Sequence, residues 1–457
     1  VRSEGTVYVL PGLGLSAEAA APLATHLSPA LTVVGIDLPG HGGSPDAADA
    51  GVSALADGVI AAIAQTATGG PWILCGHSMG GKVAAAVADR VLRGDAPLFG
   101  LAGLVLLAPS PATPEPMAAE KREQMLSWVA DGPISEEDAR AFVAANVAAP
   151  LPAADEAAAI SQVRAMSPRA WRRWLEAGSR EDISADLDIA AVPTVVLAGE
   201  EDDDLGADAQ PDLVAAILPR ATITALPGTG HLLLWESPSA VAEAIEALWN
   251  AVVLGSTRVP DSWGRIIASD RTDAETRGFL SRRHLADDPG AAPLALTQEQ
   301  LALLDAIAGR LMPRDLDDRF DLARVVDREL AADRGDGWRP PGLPCDAEAY
   351  RLGLDALADV WPSDTTSQDH LISDLIAGKG FAGSPWDDDT TRRWFEDLRV
   401  DLAQAWVSHP ATSARLGFDG FITAITASDP GFSELRADRR AAWEPDTLGT
   451  LATEDDR

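Results

Sequence analysis

Short apolar runs alternate with alanine-rich amphipathic stretches along residues 1 to 255. The runs "TVYVL" (6–10), "LTVVGID" (31–37), "WILCG" (72–76), "GLVLLA" (103–108), "TVVLAG" (194–199) and "ATITAL" (221–226) predict strands. Several are continuously apolar, the pattern of parallel strands covered on both faces. Strands that alternate with helices predict a doubly wound α/β domain with a mostly parallel sheet. Residues 117–190 break the alternation with helical patterns only, "MAAEKREQMLSWVA", "SEEDARAFVAANVA" and "SPRAWRRWLEAGS" among them. An insertion between two sheet strands predicts a lid over the carboxyl ends of the strands, where α/β domains bind ligands.

The grammar changes after residue 255. The polar, Asp- and Arg-rich stretch 256–295 reads as a linker. Thr297 and Gln300 then form a capping-box pattern ahead of "LALLDAIAGRLM", which Pro313 ends. Trp394, Leu398, Leu402, Ala405 and Trp406 recur at helical spacing on one face. No strand pattern follows residue 270, so residues 296–445 predict a separate all-α domain, with 446–457 as an acidic, frayed tail.

Composition narrows the function. The chain has 457 residues, 46% of them apolar, and a formal net charge of −34. Such an acidic surface argues against nucleic acid and anionic membrane as partners. Cys75 and Cys345 stand alone and outside metal-ligand spacings, so neither a disulfide framework nor a metal site is expected, and a reducing compartment fits. No apolar run has the length of a membrane span. A cytoplasmic location is expected, although a chain that opens on Val1 leaves room for a removed leader.

The candidate chemistry starts with an ambiguity. "VYVLPGLGLSAEAA" (7–20) matches a G-x-G-x-x-A dinucleotide fingerprint through Gly12, Gly14 and Ala17, and Asp37 stands at the distance of its ribose-binding acid. A second turn competes with it. In "WILCGHSMGGKVAAAVADRVL" (72–92), strand, Gly76-His77-Ser78-Met79-Gly80 and helix follow in the order a nucleophile elbow requires. The glycines leave room for neighbouring backbone, and the helix N-terminus favours developing negative charge. The same segment nearly spells a nucleoside-triphosphate loop, from Gly76 to Gly81-Lys82. Val83 stands where that loop needs a magnesium-binding Ser or Thr.

A serine nucleophile needs a base and an orienting acid, which follow it in this chain order. His231, in the Gly-rich loop "LPGTGHLLLWESP", is the base candidate. His77, His26 and His41 lie within or before the elbow. The carboxylate run in "TVVLAGEEDDDLG" offers Asp202 as the acid, with Asp203 as the alternative. The Gly12-Leu13-Gly14 turn then serves as an oxyanion loop, with backbone N–H groups of Leu13 and Met79 as donors. That reading accounts for all four segments, whereas the dinucleotide reading accounts for two. No cofactor is expected.

Together, "LPGLG", "DLPGHGGS", "GHSMGGKVA", "VPTVVLAGEEDD" and "GTGHLLLWESP" resemble the α/β-hydrolase superfamily over residues 5–250, in its lidded esterase and cofactor-free haloperoxidase-like branch. The resemblance implies an α/β-hydrolase fold with Ser78 as nucleophile, Asp202 as acid, His231 as base and Leu13 with Met79 as oxyanion donors. Pro11 replaces the His usual in the oxyanion loop. The lid carries Met125, Trp128, Phe142, Met166, Trp171 and Trp174. Trp128, Phe142, Trp171 and Trp174 are candidate pocket residues, and they point to an apolar or cyclic acyl substrate. The expected activity is hydrolysis of a carboxylic ester or lactone through an acyl-enzyme. Perhydrolase or lyase chemistry on the same triad is the alternative.

Residues 296–435 resemble the gluconate 2-dehydrogenase small-subunit family in "LTQEQLALLDAIAGRLMPRD", "AYRLGLDALADV" and "WDDDTTRRWFEDLRVDLAQAWVSHP". The closing "LGFDGFITAITASDPGF" departs from that family's pattern. The resemblance implies a helical interaction domain without flavin or haem of its own. It would dock a flavin-dependent sugar or alcohol dehydrogenase, or self-associate. A purely accessory, binding role for the whole chain is the rival reading.

Overall fold

The computed structural model describes residues 4–46, 51–254, 257–288, 290–313, 320–333 and 342–418. The acidic tail 446–457 and the closing segment from residue 419 lie outside the described residues.

Six parallel strands form one sheet in the order β2-β1-β3-β4-β5-β6. They are β1 Gly5–Leu10, β2 Leu31–Gly35, β3 Trp72–His77, β4 Leu101–Leu107, β5 Thr194–Gly199 and β6 Thr222–Leu226. Every residue of β3 and β4 is buried, which is why these two runs are continuously apolar. The chain runs from β1 out to the edge at β2 and then back across β1 to β3. Ligands bind at such a switch point, beyond the carboxyl ends of the strands. Pairing of Leu10 with Gly76 sets the β1 and β3 ends side by side. The Gly12-Leu13-Gly14 turn and the Ser78 turn are therefore neighbours.

The insertion after β4 forms the expected helices, Ala119–Ser127, Glu136–Ala145, Ala153–Ala165 and Pro168–Glu176. Their apolar residues join the sheet domain's hydrophobic core. Trp128, Phe142 and Trp171 pack ring against ring with centroids 5.3 to 6.3 Å apart, and the Trp171 indole donates to the Met125 carbonyl at 2.8 Å.

The expected linker 256–295 is corrected. It contains helices Asp261–Ala268 and Ala274–His284, and the second packs on the helix Met79–Arg93 that follows Ser78. A Cβ on Gly278 would stand 2.6 Å from the Arg93 main chain, so the two backbones meet at this glycine. Buried Arg277 donates to the carbonyls of Gly94 (2.6 Å), Thr272 (2.7 Å), Ser269 (2.9 Å) and Ile267 (3.1 Å). Those acceptors let a guanidinium sit in an interior, and its charge is what made the stretch look solvated.

Residues up to Ala286 form one compact unit, and Asp287–Leu416 form a second. The second unit's described residues contain helices and no strand: Gln298–Leu311, Leu322–Ala331, Asp346–Ala358, Thr365–Ile376, Asp388–Val407 and Pro410–Leu416. The Thr297/Gln300 capping box forms as read. This unit has its own core, with Leu304, Ile307, Leu354, Leu357, Trp394, Leu398 and Leu402 at its centre. Asp327 accepts the backbone N–H groups of Leu294, Ala295 and Leu296, tying the end of the expected linker into the helical unit. No described helix is long and apolar enough to cross a membrane.

Candidate active site

Ser78 sits between β3 and the helix Met79–Arg93 with φ 51° and ψ −117°, a conformation an L-residue adopts only where its surroundings enforce it. The enforcing contacts are visible. A Cβ on Gly76 would lie 2.5 Å from the Gly80 carbonyl oxygen, and one on Gly80 would lie 2.6 Å from that of Pro11. The Ser78 N–H donates to Leu107 O at 2.9 Å, and its carbonyl accepts from Gly81 (2.8 Å) and Ser110 (2.9 Å). Backbone approach thus requires both glycines.

The Gly12-Leu13-Gly14 turn packs directly on this elbow. A Cβ on Gly12 would stand 3.0 Å from His77 Nδ1 and 3.2 Å from Ser78 Cβ, and Gly14 has φ 80°. Met79 opens its helix, so its N–H lacks an intrahelical acceptor. Leu13 N–H has no partner among the described residues. Asp37 is occupied locally. One of its carboxylate oxygens accepts from Ala17 N–H (2.7 Å) and the other from Gly43 N–H (2.9 Å), so the apparent ribose acid is a turn staple.

His231 Nδ1 lies 2.6 Å from Asp202 Oδ2. The other Asp202 oxygen accepts from the N–H groups of Asp204 and Leu205, each at 3.1 Å, and its side chain is 4% exposed. Asp203 is exposed and makes no contact with the imidazole, so the geometry pairs Asp202 with His231. Burial pushes the Asp202 carboxyl up, but hydrogen bonds and charge from His231, with the two backbone donors, bring it down to about 2. Burial pushes the His231 imidazole down. Asp202, with smaller effects from Glu115 and Asp204, outweighs this and raises it.

Ser78 and His231 line one cleft that encloses about 660 Å³, including the part open to solvent. Gly12 and Leu13 line it too, with Phe142 and Trp174 from the helical insertion. Trp128 and Trp171, also expected in the pocket, do not line it. They are consumed by the aromatic cluster with Phe142, and a Cβ on Gly14 would stand 3.2 Å from the Trp171 ring.

Several residues of the site carried no assigned role in the sequence reading. Buried His77 donates from Nε2 to the His231 carbonyl at 2.7 Å, fixing the loop that carries the imidazole. Burial and neighbouring His231 lower its pKa to about 3, so it stays neutral. The Asn146 carbonyl, in the helical insertion, accepts from His231 N–H (2.9 Å) and Leu232 N–H (3.1 Å). Glu236 accepts from Ala148 of the insertion and from Gly230 and Leu232 of the His231 loop. Insertion and histidine loop are thereby one hydrogen-bonded piece. Lys82, which completed the near-match to a phosphate loop, donates to the carbonyls of Thr113 and Glu181, on either side of the insertion's helices. Burial pulls its pKa down to about 8. Among the described residues, no group of three His, Cys, Asp or Glu side chains has metal-binding geometry.

The sequence matches the profile of the alpha/beta hydrolase family over residues 7–244. The chain belongs to the alpha/beta hydrolase family. No curated relative matches it. Among the solved structures that the chain matches is a thermophilic esterase from Thermogutta terrifontis, 22% identical, covering 55% of this chain and 91% of its own, with a TM-score of 0.45. A bromoperoxidase from Bacillus anthracis is 17% identical and covers 54% and 92% at a TM-score of 0.48. An enol-lactonase from Burkholderia xenovorans LB400 is 20% identical and covers 55% and 92% at 0.44.

In this alpha/beta hydrolase, Gly12→Val is expected to lower turnover about 100-fold, the scale of loss when a reacting group is displaced by an ångström. The added branched side chain meets His77 and Ser78. Single-turnover kinetics beside a thermal melt checks this, since the loss is expected in the chemical step with the melt retained.

Proposed function

We propose that the protein is a serine hydrolase of carboxylic esters or lactones, acting through an acyl-enzyme. Ser78 attacks the substrate carbonyl, and His231 takes the hydroxyl proton and returns it to the leaving group. Water then attacks the acyl-enzyme with the same base. Asp202 holds the imidazole in the Nδ1–H tautomer and stabilises its charged form. The N–H groups of Leu13 and Met79 receive the oxyanion, and the helix Met79–Arg93 adds the positive end of its dipole. The observation that carries the reading is a strained Ser78 sharing a cleft with His231, which Asp202 orients at 2.6 Å.

The helical unit is proposed as an interaction domain, for a flavin-dependent dehydrogenase or for self-association. What supports this is a core separate from that of the hydrolase unit. A dehydrogenase that produces lactones would gain from a tethered lactone-opening site through effective concentration.

Profiling wild type and Ser78→Ala across esters, lactones and amides tests the hydrolase reading. Turnover of an ester or lactone that falls by several orders of magnitude in Ser78→Ala is the expected result. Hydrolysis that survives the substitution contradicts it. Peroxyacid formation without hydrolysis would favour perhydrolase chemistry on the same residues.

A further inference from the structure

Glu115 lies in the loop that leads from β4 into the lid, and it lines the cleft with Ser78 and His231. The loop is held at several points. Ser110 N–H donates to the Ser78 carbonyl (2.9 Å), Glu115 N–H donates to Ser179 O (2.7 Å), and Lys82 donates to Thr113 O. The carboxyl therefore has a fixed position. Ser110 Oγ donates to Glu115 Oε2 at 2.7 Å. Oε1 has no hydrogen-bond partner and no ion pair among the described residues.

An acceptor oxygen facing a ligand cleft is stabilised by a donor on the ligand. Burial, the largest effect, raises the Glu115 pKa and disfavours its charged form, against the Ser110 hydrogen bond and the charges of His231, Lys82 and Arg122, and Lys121 at the cleft is paired with Asp204. A neutral donor fits better. Leu15, Met125, Phe142 and Trp174 also line it and suit a carbon skeleton.

Resting on the serine-hydrolase reading, we propose that Glu115 is a specificity-determining residue that accepts a hydrogen bond from a hydroxyl group of the substrate. The site is then selective for hydroxylated esters or lactones over their deoxy counterparts. This refines the apolar or cyclic acyl substrate expected from the lid.

The test uses p-nitrophenyl butyrate and its 2-hydroxy and 3-hydroxy counterparts, on the full chain. In the wild type, kcat/KM for at least one hydroxy isomer is expected to exceed that for butyrate by about 10- to 100-fold, the range for a hydrogen bond to a charged group. Glu115→Leu is expected to bring that ratio close to one. Glu115→Gln, whose amide oxygen still accepts, is expected to keep part of it. Because each variant is its own reference, a general loss of activity does not move the ratio. Ester hydrolysis without preference for any isomer, or a preference unchanged in Glu115→Leu, overturns the role of Glu115 and leaves the hydrolase reading standing. No hydrolysis of any ester overturns the hydrolase reading and the role of Glu115 with it.

Discussion

Asp202→Asn is expected to lower kcat about ten-thousand-fold, the scale seen when a Ser-His-Asp triad loses its carboxylate but keeps its shape. Asparagine offers an N–H or a carbonyl to His231 Nδ1, but no charge for an imidazolium to pair with. The pH profile supplies an independent sign. The base must be neutral, so kcat/KM rises with pH as His231 loses its proton. Asp202 raises the His231 pKa above its ordinary value of 6.5, which places the acid limb of the wild type above that pH. In Asp202→Asn the limb is expected to move to lower pH on a much lower plateau. Asp203→Asn is expected to leave both the rate and the limb in place, since Asp203 does not meet the imidazole. An inactive Asp203→Asn beside an active Asp202→Asn would reverse the assignment.

The second large effect concerns where the hydrolase unit ends. A chain cut after Ala286 is expected to fold and retain ester hydrolysis, because the two units have separate cores. A chain cut after residue 255 loses the helix Ala274–His284. Arg277 then no longer donates to Gly94 O, nor Arg282 to Leu92 O, at the end of the helix that begins beside Ser78. Two charge-assisted hydrogen bonds of this kind contribute about 3 kcal/mol or more. A unit of this size then melts roughly 6–12 °C lower. Thermal melts of the two truncations check this. Equal melting temperatures would restore residues 256–286 to the status of a linker. A folded but inactive chain cut after Ala286 would make the helical unit part of the active site.

Much of the hydrolase unit is legible in the sequence because its chemistry is local. The runs at 72–76 and 103–108 are apolar throughout because β3 and β4 are buried on both faces, and the Ser78 turn is announced by glycines that backbone contact requires. What the sequence could not resolve depends on distant partners. Asp202 and Asp203 look alike in a run of carboxylates. Only the fold brings the first to the histidine and caps its second oxygen with backbone N–H groups. Trp128 and Trp171 look like pocket residues, yet their rings pack on Phe142 within the helical insertion. Arg277 reads as solvent-facing because the carbonyls that receive it come from both its own segment and residue 94. Glu115 carries no local signal, and His77 shows only as the residue before Ser78 in the elbow. Their roles come from Ser110 and from the main chain of His231.

Mass spectrometry of the full chain after fluorophosphonate treatment tests the central claim most directly, because the reagent phosphonylates an activated serine hydroxyl and the adduct can be mapped. A single adduct on the peptide that contains Ser78, formed slowly or not at all in His231→Ala and absent in Ser78→Ala, is the predicted result. An adduct on another residue, or wild-type ester hydrolysis that proceeds undiminished with Ser78 unmodified after treatment, would contradict the account.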